Sequence, residues 1–157
     1  MKKLLMISSV FAIVAGVILV VGGVWGITFT YKNIAQEKIE TPDDAKIPKA
    51  SVRGPMTLMA QSDIIREHTL KTTGGKTYAE MPRQIAKVDA EGKPVLDDKG
   101  APVMGPNTAR DMWITATSLT TALHLAVFSY VFSGLVILFG LISFWTGIVF
   151  CKLSTKA

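Results

Sequence analysis

The sequence predicts an α-helical membrane protein with two transmembrane helices, joined by a long segment outside the membrane that covers residues 32–111. Two charge-free runs support this prediction, because no Lys, Arg, Asp or Glu occurs over residues 4–31 or over residues 112–151. All 12 acidic residues and 13 of the 17 basic residues lie between those runs. The four remaining basic residues are Lys2, Lys3, Lys152 and Lys156.

The charge distribution also excludes a nucleic-acid binder, although the net charge of +5 first suggests one. Four of the five excess positive charges are at the chain ends, and the 13 bases and 12 acids between the runs leave only +1 there. Lysines at both ends favour a cytoplasmic location for both termini and an extracytoplasmic location for residues 32–111. The single cysteine, Cys151, excludes an intramolecular disulfide. We expect it to be a free thiol, with acylation as the alternative.

The first span follows a short cytoplasmic N-terminus within residues 1–31. Its apolar core runs over the 23 residues from Leu4 to Gly26, and about 20 apolar residues suffice to cross a bilayer. A cleaved signal peptide is the alternative, because Lys2 and Lys3 resemble its basic start. Signal peptides have apolar stretches of roughly 7–15 residues and a small-x-small cleavage site, which is not found after Gly26. We therefore expect an uncleaved anchor.

The second charge-free run, residues 112–151, is too long for one simple span, since 40 helical residues extend about 60 Å. Apolar and Thr/Ser residues alternate at helical spacing from Met112 to Leu123, whereas Leu125 to Phe150 is apolar all round. We expect one helix whose amphipathic start lies outside the bilayer, followed by a cytoplasmic tail over residues 152–157. A hairpin bent at Gly134 is the alternative, and it conflicts with the positive-inside tendency.

Both spans carry small residues at spacings that favour close helix packing. In the first span, Ser8, Ala12 and Gly16 lie four residues apart and are followed by Gly22 and Gly26. The second span contains two pairs, Ser129 with Ser133 and Ser143 with Gly147. We expect these faces to contact other helices.

The middle segment is poor in core-forming residues. Its 80 residues include 17 Ile, Leu, Val and Met, one aromatic residue, Tyr78, and all seven prolines. Because ordering a chain of this length costs more free energy than so few apolar residues return, the segment is not expected to fold alone. It should stay partly mobile or pack on something else, which points to a partner protein.

Local signals divide the middle segment into parts. Residues 32–53 should be extended, with a turn at Pro42. A helix is expected from Pro55 to Leu70, because proline suits a first helical turn and Gly74-Gly75 ends the pattern. Thr77 can cap a short turn that Pro82 ends. The stretch from Val88 to Gly105 contains Gly-x-Pro-Val twice, which predicts a small hairpin or two successive turns.

The chain offers no convincing catalytic, cofactor or metal motif. Gly74–Thr77 imitates the end of a phosphate-binding loop, but Leu70 occupies the position of its first glycine. The two histidines, His68 and His124, do not form an H-x-x-x-H pair, so a metal site is a minor alternative. We expect His68 to make a local hydrogen bond, and His124 to mark the membrane boundary or to contact a partner. No G-x-S-x-G motif indicates a hydrolase. We therefore expect a protein that is not an enzyme.

Three stretches carry a resemblance to a known family: Ala60–Ile65 followed by His68, the run Gly74–Met81, and Pro82-Arg83. On these residues, and across most of its length, the chain resembles small actinobacterial two-span membrane proteins that often carry the label aromatic ring-opening dioxygenase. The chain lacks the His/Glu iron-binding set of such dioxygenases. Residues 84–107 look like an insertion relative to shorter members. Members similar to this chain include accessory subunits of the actinobacterial cytochrome bcc–aa3 respiratory supercomplex.

The resemblance implies a non-catalytic accessory subunit of that supercomplex, which supports its assembly or stability and contacts its integral-membrane subunits and the lipid bilayer. The alternative is a stand-alone ligand-binding or sensing protein whose extracytoplasmic segment holds a small molecule or ion. The residues expected at the partner interface are apolar or small. They are Ala12, Gly16, Ile64, Ile65, Tyr78, Trp113 and Leu119.

Overall fold

A computed structural model describes residues 1–156 of the chain. It contains three α-helices, a 3₁₀ turn and a two-stranded antiparallel sheet. In chain order these elements are α1 (Lys2–Gln36), α2 (Pro55–Thr72), the 3₁₀ turn (Tyr78–Glu80), β1 (Gln84–Ala86), β2 (Met104–Pro106) and α3 (Thr108–Lys156).

Helix α1 extends beyond the charge-free run that predicted it. It continues through Lys32 to Gln36, and the chain leaves the helix at Lys38, which has a positive φ of 51°. The expectation of an extended chain from residue 32 onwards is therefore wrong for its first residues. The rest of that stretch is irregular and is held by an isolated antiparallel bridge between Glu40 and Ser51.

Helix α3 is a single helix of 49 residues, about 73 Å long at roughly 1.5 Å per residue. It begins four residues before Met112, where the Asn107 side-chain oxygen accepts a hydrogen bond from the Ala109 backbone N–H at 3.1 Å. The helix passes through Gly134 without a break. One long helix is thereby confirmed, and the hairpin alternative is wrong.

Helices α1 and α3 pack antiparallel along a stripe of small buried residues, which we call the seam. Each helix contributes residues seven positions apart. A seven-residue repeat is typical of helices that wind around each other with a left-handed twist. The seam consists of Ser9, Gly16, Gly23 and Thr30 from α1 and Ser133, Gly140, Gly147 and Ser154 from α3.

The two backbones touch along the seam. A Cβ atom added to Gly16 would lie 2.6 Å from the Phe144 backbone nitrogen and 2.7 Å from the Gly140 oxygen. Hydroxyl groups bridge the helices as well: Ser9 Oγ donates to the Gly147 carbonyl at 2.7 Å. Such contacts exclude lipid and allow dispersion and hydrogen bonding to hold the helices together.

The predicted small-residue faces are only partly those of the seam. On α3, Ser133 and Gly147 belong to it, as predicted, whereas Gly140 is an addition. On α1, Gly16 belongs to the seam, and two more predicted residues contact α3: the Ala12 carbonyl accepts a hydrogen bond from Ser143 Oγ at 2.9 Å, and a Cβ added to Gly26 would lie 2.5 Å from Ser133 Oγ. Within residues 1–156, nothing lies within 4 Å of a Cβ added at Gly22.

Helix α2 confirms the predicted helix and ends two residues later than expected, at Thr72. It runs antiparallel to the first part of α3. Three hydrogen-bonded levels define the register: Arg53 with Tyr130, Ser62 with His124, and Thr73 with Trp113.

The core of the middle segment is shared with the two long helices. Val52 and Leu58 are 1% and 0% exposed and pack with Leu123 of α3. Partly buried residues from all three helices complete this cluster, including Ile34 of α1 and Ile65 of α2. The segment thus packs on the chain's own long helices, whereas the sequence pointed to a partner protein for this role.

A small arm projects from the start of α3. Strands β1 and β2 pair at its base, with Gln84 opposite Pro106, and two turns with Gly92 and Gly100 at positive φ follow. Both predicted forms, hairpin and successive turns, are therefore present. Lys87, Val95 and Val103 meet where the two turns and the sheet join, and their backbone groups form a closed ring of three hydrogen bonds, each 2.8–2.9 Å long.

Candidate partner interface

The end of the helical pair opposite the chain termini, here called the outer end, is marked by a polar cluster. Tyr130 O–H donates to the Arg53 carbonyl at 2.6 Å, and the Arg53 guanidinium donates to the Tyr31 hydroxyl at 3.2 Å. At the same level, the hydroxyls of Thr30 and Ser129, each adjacent in sequence to one of the two tyrosines, lie 2.7 Å apart. Tyrosine and arginine are typical of a membrane–water boundary.

The dimensions of the helical pair match a bilayer. Helix α3 covers about 32 Å from Tyr130 to Cys151 at roughly 1.5 Å per residue, close to the hydrocarbon thickness of about 30 Å. Both long helices are long and apolar enough to cross a membrane, and an 18-residue window of each has a mean hydropathy of 2.9 and 2.4, respectively. Because Ser9 contacts Gly147, both chain termini lie at the same end of the pair.

Beyond Tyr130, helix α3 continues outwards for about 33 Å at roughly 1.5 Å per residue, and α2 packs along it. We call this part, α2 with residues 108–129 of α3, the stalk. At its middle level Ser62 is buried and its Oγ lies 2.8 Å from Nε2 of His124. The Ser62 side chain is only a few per cent exposed, and the pair joins the two helices of the stalk.

At the outer level of the stalk, Trp113 of α3 is buried and its indole N–H donates to the Lys76 carbonyl at 2.9 Å. The same N–H is 3.3 Å from Thr73 Oγ1. The Arg66 guanidinium lies 5.7 Å from the centre of the Trp113 ring, a cation–π distance. The indole thus connects the end of α2 to α3.

Between the outer end of α1 and the stalk lies an apolar cavity of about 550 Å³, which we call the groove. Three helices and the chain after α1 contribute its walls. Its lining residues are Asn33, Ile34, Glu37, Ile39, Leu58, Gln61, Ile65, Leu119, Ala122, Leu123 and Ala126.

One polar atom in the wall of the groove lacks a partner. Among the buried side-chain nitrogen and oxygen atoms of residues 1–156, Gln61 Oε1 is the one that makes no hydrogen bond. Buried polar atoms in folded proteins are nearly always paired, so an unpaired one requires an explanation. Glu37, exposed at the groove, adds a carboxylate.

The structure divides the predicted interface residues into three groups. Ala12 and Gly16 face α3 within the seam region: the Ala12 carbonyl accepts a hydrogen bond from Ser143 Oγ at 2.9 Å, and Gly16 is buried. Ile64 and Trp113 are 3% and 5% exposed inside the stalk. These four residues therefore make contacts within the chain and not on its free surface.

The other three predicted residues remain accessible. Ile65 is half-buried and Leu119 is 51% exposed, and both line the groove. Tyr78 is 41% exposed, and the Arg110 guanidinium lies 3.9 Å from the centre of its ring. Gln61 and the Ser62–His124 pair were not predicted, because both depend on the register of α2 against α3.

The middle segment carries exposed ion pairs. His68 Nε2 lies 2.7 Å from Asp44 Oδ2, and this hydrogen bond lowers the pKa of the Asp44 carboxyl. His68 therefore forms a hydrogen bond, as predicted, but its partner is 24 residues away in the sequence and not local. Hydrogen bonds from the Thr77 N–H and hydroxyl to the Glu80 carboxylate lower the pKa of Glu80. Thr77 therefore caps the short turn, as predicted.

The remaining motifs have structural explanations. Gly74 and Gly75 adopt positive φ, and the Gly75 N–H donates to the Leu70 carbonyl at 2.8 Å, which ends α2. Across residues 1–156, no group of three or more His, Cys, Asp or Glu side chains is placed to hold a metal ion.

Comparisons with known proteins leave the chain without an assigned family. No family model, no curated protein and no solved structure matches it.

Proposed function

We propose that this chain is a non-catalytic accessory subunit of an integral-membrane respiratory complex, the bcc–aa3 oxidase supercomplex, and that it supports assembly or stability. The proposal takes both termini as cytoplasmic and the stalk as extracytoplasmic, in line with the lysines at the chain ends. The partner identity comes from the sequence resemblance.

The observation that carries the proposal is apolar exposure outside the two membrane segments. Met56 on α2 is 71% exposed, and Met59, one turn further, is 49% exposed. Ile114 and Leu119 on the outer part of α3 are each 51% exposed. Large apolar side chains exposed to water outside a bilayer are typical of protein–protein contacts, where methionine is enriched.

The membrane helices support the same proposal. The small residues of the seam are buried between α1 and α3, whereas aromatic side chains of both helices are exposed. Phe11, Trp25, Phe128 and Trp145 are 65–75% exposed on the pair. This outer circumference is available to lipid or to the helices of larger subunits.

The test is purification of the tagged full-length protein from its native membrane in a mild detergent, followed by mass spectrometry and a haem absorbance spectrum. We expect stoichiometric oxidase and bc-type subunits with a-, b- and c-type haem absorbance. Recovery of the chain alone, at good yield and without haem, would contradict the proposal. Deletion of the gene should lower the recovery of intact supercomplex.

A further inference from the structure

A small cleft beside Arg53 opens at the depth of the lipid headgroups. Its volume is about 120 Å³, and its walls come from the end of α1 and from residues 38–40 and 51–53. The Arg53 guanidinium donates to the hydroxyl of Tyr31, which lies at the bilayer boundary. Ala35, also in the wall, is four residues and roughly 6 Å further out on α1. Headgroups occupy about 5–8 Å beyond the hydrocarbon, so the cleft lies within that layer.

Two basic side chains share the cleft, because the chain folds back on itself after α1. Glu40 and Ser51 form an isolated antiparallel bridge, and the same register places Lys38 opposite Arg53. Both of these basic residues line the cleft. Like charges directly opposite each other on an antiparallel pair are destabilising, so this arrangement favours an anion between them.

The charges of Lys38 and Arg53 are not neutralised within the chain. Two other lysines between α1 and α2, Lys46 and Lys49, lie 2.6 and 3.3 Å from aspartate carboxylates. Across residues 1–156, neither Lys38 nor Arg53 has a carboxylate at salt-bridge distance. The Glu40 side chain also lines the cleft, so the three charged residues there sum to +1. This charge matches a ligand that carries one negative charge.

The position of Arg53 is fixed before a ligand arrives. Its guanidinium donates to the Tyr31 hydroxyl at 3.2 Å, and its backbone carbonyl accepts a hydrogen bond from the Tyr130 hydroxyl at 2.6 Å. A guanidinium has five N–H donors in a planar fork, of which the Tyr31 contact uses one. The others can donate in pairs to two oxygens of one phosphate group. A phosphodiester carries one negative charge on two such oxygens, and phospholipids supply that group at this depth.

We propose that the cleft between Lys38 and Arg53 binds the phosphate group of one phospholipid, in the leaflet on the stalk side of the membrane. The bound phosphate would separate the two facing positive charges and tie the loop after α1 to the bilayer surface. This inference goes beyond the proposed function. It requires that the two long helices cross a membrane, and it does not depend on the identity of any partner protein.

The experiment is native mass spectrometry of the purified full-length chain in a mild detergent, titrated with dioleoylphosphatidylglycerol. We expect one lipid to bind more tightly than all that follow. Arg53→Gln should raise the dissociation constant of that first lipid at least about tenfold, the effect of one lost hydrogen bond between charged groups. Arg83→Gln is the matched control: it removes the same charge next to Asn107, roughly 30 Å beyond Tyr130, and should leave the constant unchanged.

Three further measurements test the chemistry. Lys38→Gln, at an exposed position, should raise the same constant about two- to fivefold, and it keeps the test valid if Arg53→Gln weakens the fold. Dioleoylglycerol, which has the same tails without the phosphate, should not bind at the site. A phosphatidylglycerol analogue with a photoreactive headgroup should label residues 35–53 in the original chain. Equal thermal unfolding of the lipid-free variants in detergent verifies that they are folded.

Several outcomes would overturn the inference. Equal weakening by Arg53→Gln and Arg83→Gln would show a general effect of surface charge, and tight binding of dioleoylglycerol would assign the affinity to the tails. Displacement of the lipid by an equal concentration of inorganic phosphate would identify a site for a soluble anion. Labelling confined to residues outside 35–53 would place the lipid elsewhere. Because the isolated chain is used, none of these results bears on the proposed host complex, which the co-purification tests separately.

Discussion

The seam and the stalk both pack helices against each other, but the seam does so with small residues and the stalk with large ones. In the seam, glycine and serine bring two backbones into contact, and the contact surface is closed. In the stalk, Trp113, Leu58 and Leu123 keep the helices apart and fill the space between them incompletely, which leaves the groove. Lipid gives no hydrophobic drive for helix association, so close backbone contact dominates inside the bilayer, whereas burial of large side chains dominates outside it.

The largest effect should come from removal of the stalk's buried indole. Trp113→Ala should destabilise the stalk by about 3–5 kcal/mol, because it leaves a cavity and removes the donor to Lys76. Limited trypsin digestion should then cleave the chain within α2, whereas the two helices of the seam should stay uncleaved. Trp145→Ala, at a site 68% exposed, is the control. Equal protease resistance of the two variants would contradict this account of the stalk.

The addition of a single methyl group to a glycine of the seam should destabilise the helical pair. Gly16→Ala should destabilise the helical pair by about 1–3 kcal/mol, because the new methyl group meets backbone atoms at 2.6–2.9 Å that cannot rotate away. Thermal unfolding in detergent measures the change. Gly22→Ala adds the same methyl group where space is open and should have no destabilising effect. A similar loss in both variants would indicate a different helix register.

A smaller effect is expected for the link between α2 and α3. Ser62→Ala should cost about 1 kcal/mol, the net value of one hydrogen bond, since water can reach the exposed His124 ring. Hydrogen exchange of α2 amides reports the loss. Ser118→Ala removes a hydroxyl that bonds only within α3, to Ile114, and should leave α2 exchange unchanged. Faster exchange in that control would show that the assay does not isolate the link.

The smallest effect concerns pH. The folded pKa of Glu80 is below its usual 4.5, so the cap at Thr77 is fully present above that pH and is lost as the pH falls through the lowered pKa. Exchange of the Thr77 amide, corrected for intrinsic rate, should therefore rise only in acid. Glu80→Gln keeps an acceptor that does not titrate, and its exchange should be independent of pH. A pH-dependent rise in that variant would assign the effect to another group.

The sequence was sufficient to predict the two long helices but not the contacts between them. Charge-free runs and hydropathy predicted α1, α3 and the absence of a break at Gly134, because these depend on each residue's own chemistry. Prediction of the seam required a choice between two spacings of small residues that α1 contains. One is four residues, from Ser8 to Gly16, and the other is seven residues, from Ser9 to Thr30. Only the partner helix decides between them, since the period follows from the crossing geometry.

The middle segment shows a second limit. Its own residues are too few for a core, and that part of the reasoning agrees with the structure, in which Leu58 and Val52 pack on Leu123 and Ile34 from the long helices. The prediction considered the middle segment apart from the two long helices. It therefore assigned the surface on which the segment packs to a partner protein. The groove and its unpaired Gln61 oxygen could not be predicted, because they arise from the register of α2 on α3.

The arm with its ring of three backbone hydrogen bonds has a consequence for how such a chain can change. The chain enters and leaves the arm at one place, where the Asn107 N–H donates to the Arg83 carbonyl at 3.2 Å. A module attached at one point can be gained or lost in a single genetic event without moving any helix. The same attachment makes the turn tips at Gly92 and Gly100 suitable positions for an epitope or fluorescent label that reports which side of the membrane the stalk occupies.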